Sequence, residues 1–401
     1  MTNDVFMAMG PVILAAISGV YLDLSPALIG VAVSAQQMTG AVSQPLFGWL
    51  SDKGNSRLLG AGGVLWTISL LSLSLVFAMM GNLWLMILTF AGTAIGSGAF
   101  HPVGTAHASY KNPTRAASNT ALFFLFGQLG LALGPVIAGL LWGLTLAPDG
   151  SGGSLLPFFL VSVAALPAVL FMQLSIPRPT PSDDAENRPA VARADMRWRA
   201  LLLLAGLVVL RGVAYPGSVA FIPVLFRAKG WSPEAYGAIT SIFWIASAAA
   251  GVYFGSLADR FDQRYVVTGT LLLAAPAYFV LPLLDGPLAF VMVLIAGGLV
   301  GGSHSIIVVL AQGMLPGRKG FASGVALGFI FGVGGIGSLV IGYTADGFTL
   351  GAWAFAGFGL ERTFQAISVF VLLSGLLGMA LPASGRPTAK PDISPAAQGA
   401  D

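Results

Sequence analysis

Four ionisable residues lie inside long apolar runs of this chain: Asp4, His101, Arg211 and His304. A charge at the centre of a bilayer costs at least ~2.5 kcal/mol on insertion scales, so such residues usually face a protein interior or a cavity. Arg211 carries a permanent guanidinium. Its planar fork can hold a carboxylate, phosphate or phosphonate in bidentate fashion, or it can form a structural ion pair. His101 and His304 are of the type that titrates near physiological pH. Each could handle a proton, contact a solute, or only donate to a backbone carbonyl. A desolvated carboxyl can be protonated near neutral pH, which makes Asp4 a candidate proton carrier; an exposed acid near the chain start is the alternative. Gln44, Gln128, Tyr215 and Gln312 are uncharged polar groups within or beside the apolar runs, suited to substrate contact or to hydrogen bonds between helices.

The two histidines belong to a repeat. Gly98, His101, Pro113, Arg115, Gly134 and Gly139 recur as Gly301, His304, Pro316, Arg318, Gly337 and Gly342, each pair 203 positions apart. A second segment, GWLSDKGNSR at 48–57, recurs at a shift of 207 as GSLADRFDQR at 255–264. Two copies of one hydrophobic half, joined by a polar linker, are the architecture of a transporter, whose substrate site lies between the halves.

Elements of a particular kind must position these residues. Charged residues are 9% of the chain and hydrophobic ones 56%, against roughly 25% charged in soluble domains. Twelve apolar spans are expected, at 3–22, 29–50, 59–80, 84–108, 116–141, 157–176, 200–226, 236–257, 265–284, 288–312, 320–342 and 363–382. Each is near the ~20 residues that cross the hydrocarbon as a helix. Lipid cannot pair backbone groups, so helices are the natural form, and the alternation of a barrel is absent. The fold expected is an all-α membrane protein of twelve transmembrane helices in two pseudo-symmetric six-helix bundles. Residues 1–176 form the first bundle, 177–199 a cytoplasmic linker, 200–382 the second bundle and 383–401 a disordered cytoplasmic tail.

With the N-terminus cytoplasmic, fifteen of the nineteen Lys and Arg residues fall on the cytoplasmic side, three fall outside, and Arg211 is within a span. The positive-inside rule selects this orientation. The basic pI of 9.3 therefore reflects topology, and no nucleic-acid partner is expected. MTND lacks a basic n-region, so the first apolar run reads as a retained helix that is short at its front. The absence of cysteine excludes disulfides and thiolate chemistry. Neither a metal nor a cofactor is expected. Glycine clusters in spans 5 and 11, where small residues let helix backbones approach. Pro102 should locally break helix hydrogen bonding beside His101, which could expose backbone polar groups to a cavity.

Gly48, Leu50, Asp52, Lys53 and Arg57, and again Gly255, Leu257, Asp259, Arg260 and Arg264, resemble the signature loop of the major facilitator superfamily. Asn3-Asp4, SGAFHP at 97–102 and the stretch at 312–337 resemble the fosmidomycin-resistance group of efflux carriers within it. That group carries an acid directly after its His-Pro pair, where this chain has Val103. The resemblance implies that spans 1, 4, 7 and 10 line a central cavity, and each of these holds one of the four ionisable residues. It also implies a gating role for Gly48, Asp52, Arg57, Asp259 and Arg264, with each loop acid drawn to a positive helix end of the opposite half. Gly130, Gly134, Pro135 and Gly139 resemble the Gly-Pro motif in span 5 of superfamily antiporters.

These readings converge on a secondary active transporter of a small organic solute, anionic or amphiphilic, most consistent with proton-coupled efflux by a monomer in a bacterial inner membrane. An importer or uniporter of an organic anion is the alternative. A membrane-embedded enzyme lacks support, because zinc-protease spacing and a serine–histidine arrangement are missing. A receptor would be expected to add a soluble output domain. No phosphate-binding nucleotide loop is present, so the driving force is expected to be an ion or solute gradient.

Overall fold

The computed structural model describes residues 1–51, 56–110, 116–175, 198–314 and 319–382. Spans 1 to 5 are the helices Thr2–Ile17, Pro26–Ser51, Ser56–Met79, Leu83–Tyr110 and Ala116–Gly143. Span 6 is two consecutive helices, Leu156–Ala164 and Leu166–Ser175. Span 7 runs from Trp198–Gly212 through an irregular turn to Ile222–Ala228. Spans 8 to 12 are Pro233–Arg260, Gln263–Val280, Gly286–Met314, Lys319–Asp346 and Gly359–Met379. Spans 1–6 and 7–12 form the two bundles. Among the described residues, ten segments are long and apolar enough to cross a membrane. Span 1, of 16 residues, is too short to be one of them. Span 2 carries Ser34, Gln36, Gln37, Thr39, Ser43 and Gln44, which lower its hydropathy; several of these meet neighbouring helices described below.

The sequence reading needs three corrections. Span 1 stops at Ile17, short of the expected residue 22, because Gly19 adopts φ +76° and its N–H donates to the Leu22 carbonyl in a tight turn. Span 4 stays helical through Pro102, whose missing N–H leaves the Gly98 carbonyl without its intrahelical donor. Span 7, expected as one helix at 200–226, is interrupted around Tyr215 and Pro216. Within this helical fold a short two-stranded antiparallel hairpin, β1 (Phe348–Leu350) and β2 (Trp353–Phe355), joins spans 11 and 12. Trp198 and Arg199, assigned to the linker, begin span 7; the rest of the linker and the tail at 383–401 lie outside the described residues.

The bundle has two ends. One, here the far face, gathers the connections at 18–25, 80–82, 144–155, 229–232, 284–285 and 347–358. Its parts touch directly: the Tyr21 hydroxyl donates to the Gly153 carbonyl at 3.1 Å. Lys229 pairs with Asp285 at 3.4 Å and Glu361 at 3.6 Å. The other end carries the start of span 1, the end of span 6 and the start of span 7. Large apolar side chains such as Leu88, Phe171, Val252 and Leu273 are exposed on the outside, as a lipid-facing surface requires.

The halves meet where span 2 crosses span 11 and span 5 crosses span 8. Glycine sets these distances. A Cβ on Gly342 would lie 2.6 Å from the Pro26 carbonyl oxygen, one on Gly30 2.8 Å from that of Ser338, and one on Gly237 2.6 Å from that of Pro135. These contacts sit toward the far face, where the Arg227 guanidinium also donates to the Ser18 carbonyl across the halves. The far side of the half–half interface is therefore closed.

A side chain at Gly342 should wedge this closure apart. Overpacking of a tight contact typically costs about 1–3 kcal/mol. Gly342→Val should raise labelling of an introduced Ser338→Cys by a water-soluble maleimide several-fold, while the protein still purifies as a folded species. Unchanged labelling would mean that this contact does not hold the far side shut.

Candidate functional site

The first half builds its centre from neighbours on span 1. Asn3 is 1% exposed; its amide donates to Ser97 Oγ at 3.0 Å, and its carbonyl oxygen accepts from Thr67 Oγ1 at 3.1 Å. These bonds pin span 1 to spans 3 and 4. The next residue, Asp4, is thereby placed against His101, with Asp4 Oδ1 3.2 Å from His101 Nε2. Asp4 is 4% exposed, whereas the His101 side chain is one-third open. Phe100 and Phe123 pack on the imidazole, with ring centroids 5.2 and 6.2 Å away. Span 5 approaches closely because it presents glycine: a Cβ on Gly130 would lie 2.8 Å from Asp4 Cβ, and one on Gly134 2.5 Å from the Val5 carbonyl oxygen. One step further from the pair, Gln36 donates to Thr93 Oγ1 at 2.9 Å.

The second half inverts the charge. Arg211 is fully buried. Its Nε donates to Ser303 Oγ at 2.7 Å and its Nη2 to the Val300 carbonyl at 2.8 Å; the guanidinium lies 4.6 Å above the Tyr215 ring. Among the described residues no carboxylate pairs with it. The chain opens just beyond Arg211. Pro216 lacks an N–H and disfavours helical torsions in the residue before it, so Tyr215 is extended at φ −152°, ψ 114°. Within this turn the Ala214 carbonyl accepts from the Ser218 hydroxyl at 2.6 Å and the Tyr278 hydroxyl at 2.9 Å. Tyr215 stacks on Phe243 and meets Trp244 edge-on, and the His304 ring lies 5.6 Å from it. His304 Nδ1 is buried without a hydrogen-bond partner.

The repeat is visible in these contacts. Span 1 bonds to span 4 at Ser97, and span 7 bonds to span 10 at Val300, 203 positions on. Ser43 packs against Gly98 and Ser247 against Gly301. A third polar set bridges the halves. Gln37 donates to Ser338 Oγ at 3.4 Å, and Ser338 donates to the Gly217 carbonyl in the opened turn at 3.2 Å.

The remaining expected residues scatter. Gln128 is half-buried on span 5, with its Oε1 lacking a partner, and Gln44 is half-buried on span 2. Gln312 lies on span 10, its side chain outside the described residues. Of the loop motif, Gly48 lies in the last turn of span 2, where an added Cβ would meet nothing within 4 Å. Asp52 lies outside the described residues, as does the side chain of Arg57. Asp259 is exposed near the end of span 8. Arg264 lies over the Tyr265 ring and donates to the Tyr265 hydroxyl at 2.8 Å and the Leu381 carbonyl at 3.4 Å, all within its own half. The structure thus brings together Asp4 with His101, and Arg211 with Tyr215 and His304. Sequence reasoning missed Gln36, Gln37, Ser303, Ser338, Tyr278 and Arg227. The paired glutamines in an apolar span and the Tyr-Pro-Gly within span 7 were the available signals. Among the described residues no cluster of three or more His, Asp or Glu could hold a metal.

The sequence profile described as Major Facilitator Superfamily matches residues 1–339. The fosmidomycin resistance protein of Escherichia coli (strain K12) is 28% identical over 360 residues, spanning 88% of this chain and 84% of its own length. The MFS-type transporter YfnC of Bacillus subtilis (strain 168) is 28% identical over 372 residues, spanning 90% and 85%. A bacterial homologue of the human lysosomal transporter Spinster, solved in an inward-facing and occupied conformation, superposes with a TM-score of 0.74 at 18% identity, covering 95% of this chain and 94% of that one. A D-xylose–proton symporter superposes with a TM-score of 0.68 at 16% identity, covering 94% and 95%. The doubled loop motif, the twelve spans in two related bundles and a profile that runs across both of them agree: the chain belongs to the Major Facilitator Superfamily.

Proposed function

We propose that this membrane transporter is a proton-coupled exporter of a small anionic or amphiphilic organic solute, working by alternating access. Family membership makes it a small-molecule transporter and not an enzyme. The observation that carries the finer reading is the opposition of charge between its halves. Buried Asp4 with His101 can hold or release a proton. Buried Arg211, with no acid beside it, leaves a positive field that an anionic group can answer. A low-dielectric surround strengthens that field. Arg211 is screened from solvent behind Tyr215 and His304 in this conformation, so the half-buried His304, Gln128 and Gln44 make the first contacts in this proposal. The Gly-Pro pattern of span 5 and the resistance named for the Escherichia coli relative support export. Charge distribution supports cytoplasmic termini in a bacterial inner membrane, and the closed far side then corresponds to an inward-facing state. Asp52 and Asp259 with their neighbouring basic residues gate the opposite side in this scheme. A monomer suffices, since both centres lie within one chain.

Asp4→Asn should abolish accumulation driven by an imposed pH gradient in proteoliposomes, with a ligand found by thermal-shift screening as the transported solute. Exchange at equal concentrations should survive, because it needs no net proton movement. His101→Gln should impair both. If Asp4→Asn liposomes still accumulate solute on a pH gradient alone, Asp4 is not the carrier; if the unaltered protein shows no such accumulation, facilitated diffusion replaces antiport.

Arg211→Gln should weaken binding of an anionic ligand tenfold or more, about 1.4 kcal/mol. Arg211→Lys should recover part of this, since it keeps the charge but loses the fork. Calorimetry giving equal affinities for all three proteins would assign Arg211 a purely structural role.

A further inference from the structure

The connection between spans 11 and 12 has an unexpected composition. Residues 347–358 read GFTLGAWAFAGF, without one charged side chain. The corresponding connection of the first half, 144–155, is polar: Asp149 accepts from the Ser151 N–H at 2.9 Å and the Ser151 hydroxyl at 2.6 Å. The two halves share one design, so this difference is local to the connection.

In the structure the segment 348–355 is the β1–β2 hairpin, with Leu350 opposite Trp353 and Phe348 opposite Phe355. Its apolar side chains point away from the protein. Trp353 is 80% exposed and Leu350 73%, and Phe348 and Phe358 are about half exposed. A two-stranded hairpin is at best marginally stable in water. This one rests on span 11 through Tyr343, whose ring meets Phe348 at 6.4 Å. Between them runs an open groove of about 530 Å³, lined by Leu339, Val340, Tyr343, Phe348 and Leu350. Ile336, Val340 and Tyr343 are exposed on one helical face, so the groove continues the outer apolar stripe of span 11.

We propose that this hairpin is a membrane-interface anchor: it lies in the headgroup region of the leaflet at the far face, with Trp353 and Leu350 immersed and a lipid acyl chain in the groove beside span 11. Both strand edges leave backbone groups unpaired. That excludes the hydrocarbon centre, where such groups cannot be satisfied, but suits the hydrated interface. Tryptophan is enriched at that depth. Exposed Asp346, Glu361 and Arg362 at the adjoining helix ends lie at the polar level the hairpin would occupy. The uncharged surface and its continuity with the lipid-facing stripe favour lipid over a protein partner.

The cysteine-free chain permits a direct test. Trp353→Cys, Leu350→Cys and, as the water-facing control, Asp149→Cys would each carry a spin label in the full protein, reconstituted in phosphatidylethanolamine–phosphatidylglycerol nanodiscs. Collisions with dissolved oxygen and with a water-soluble nickel chelate report depth. The oxygen-to-nickel ratio at 353 and 350 should exceed that at 149 by roughly threefold or more, as expected for interfacial burial. A ratio equal to that of the control would place the hairpin in water and overturn the proposal. Low access to both reagents would also overturn it: with spin–spin broadening it would assign the surface to a second copy, and without broadening to contact with the protein itself.

Discussion

A polar group in hydrocarbon has no water to turn to, and most of this structure's organisation answers that constraint. Asn3 is buried on the shortest span and would be a liability alone. With Ser97 and Thr67 it becomes the bolt that fixes span 1 to spans 3 and 4. Arg211 presents the same problem with a full charge. Its solution uses a hydroxyl, a main-chain carbonyl and an aromatic face, all presented by span 10 and by the opened turn of its own span. None of these partners is anionic, so the guanidinium is solvated but its charge is not cancelled. A salt bridge would have satisfied the group and removed the field.

The duplicated architecture shows what can be varied once the scaffold is set. Positions 97 and 300, and 101 and 304, keep their places in the two halves, and glycine at 98 and 301 admits a serine from spans 2 and 8. What differs is the chemistry delivered to those places. The first half supplies an acid that holds its histidine, and the second supplies a cation and a histidine with an unpaired nitrogen. Divergence of this kind needs no change in backbone design apart from the turn at Tyr215.

Much of this was legible in the chain. Hydropathy located all twelve spans, because lipid exposure demands long apolar runs whatever the function. The 203-residue period located the histidines as a pair. Legibility failed where a short signal competes with a long one. Tyr215-Pro216 lies inside a run whose hydropathy reads as uninterrupted helix, yet the helix is interrupted there; Pro102 lies in a similar run and its helix continues. Ring position alone cannot separate the two. At the turn the hydroxyls of Ser218 and Tyr278 both donate to the Ala214 carbonyl, one from the turn itself and one from a helix 64 residues on. The contact between Asp4 and His101 was harder to read, since 97 residues separate the partners and packing of span 1 against spans 3, 4 and 5 brings them together.

The distribution of bond strengths indicates where motion is admitted. Within each half the bonds are short: 2.7 and 2.8 Å at Arg211, 3.0 Å at Asn3. Charge-assisted bonds of that length hold span 7 to span 10 as one body. The polar bridge between the halves near the break is the neutral Gln37–Ser338 contact at 3.4 Å, close to the limit at which a hydrogen bond counts as one. At the far face two bonds cross the halves: Arg227 donates to the Ser18 carbonyl, and the Val136 N–H of span 5 donates to Ser241 Oγ of span 8 at 3.0 Å; both lie partly exposed. The buried charge-assisted bonds lie within the halves and the bonds between the halves are only partly buried, which suits rocking of rigid bundles. The opened turn of span 7 sits at the boundary of the two sets: Arg211 on one side of it is locked within its half, and Gly217 on the other is tied through Ser338 to the opposite one. A shift between the halves would therefore reach the turn through Gly217 first, while Arg211 holds its place on span 10.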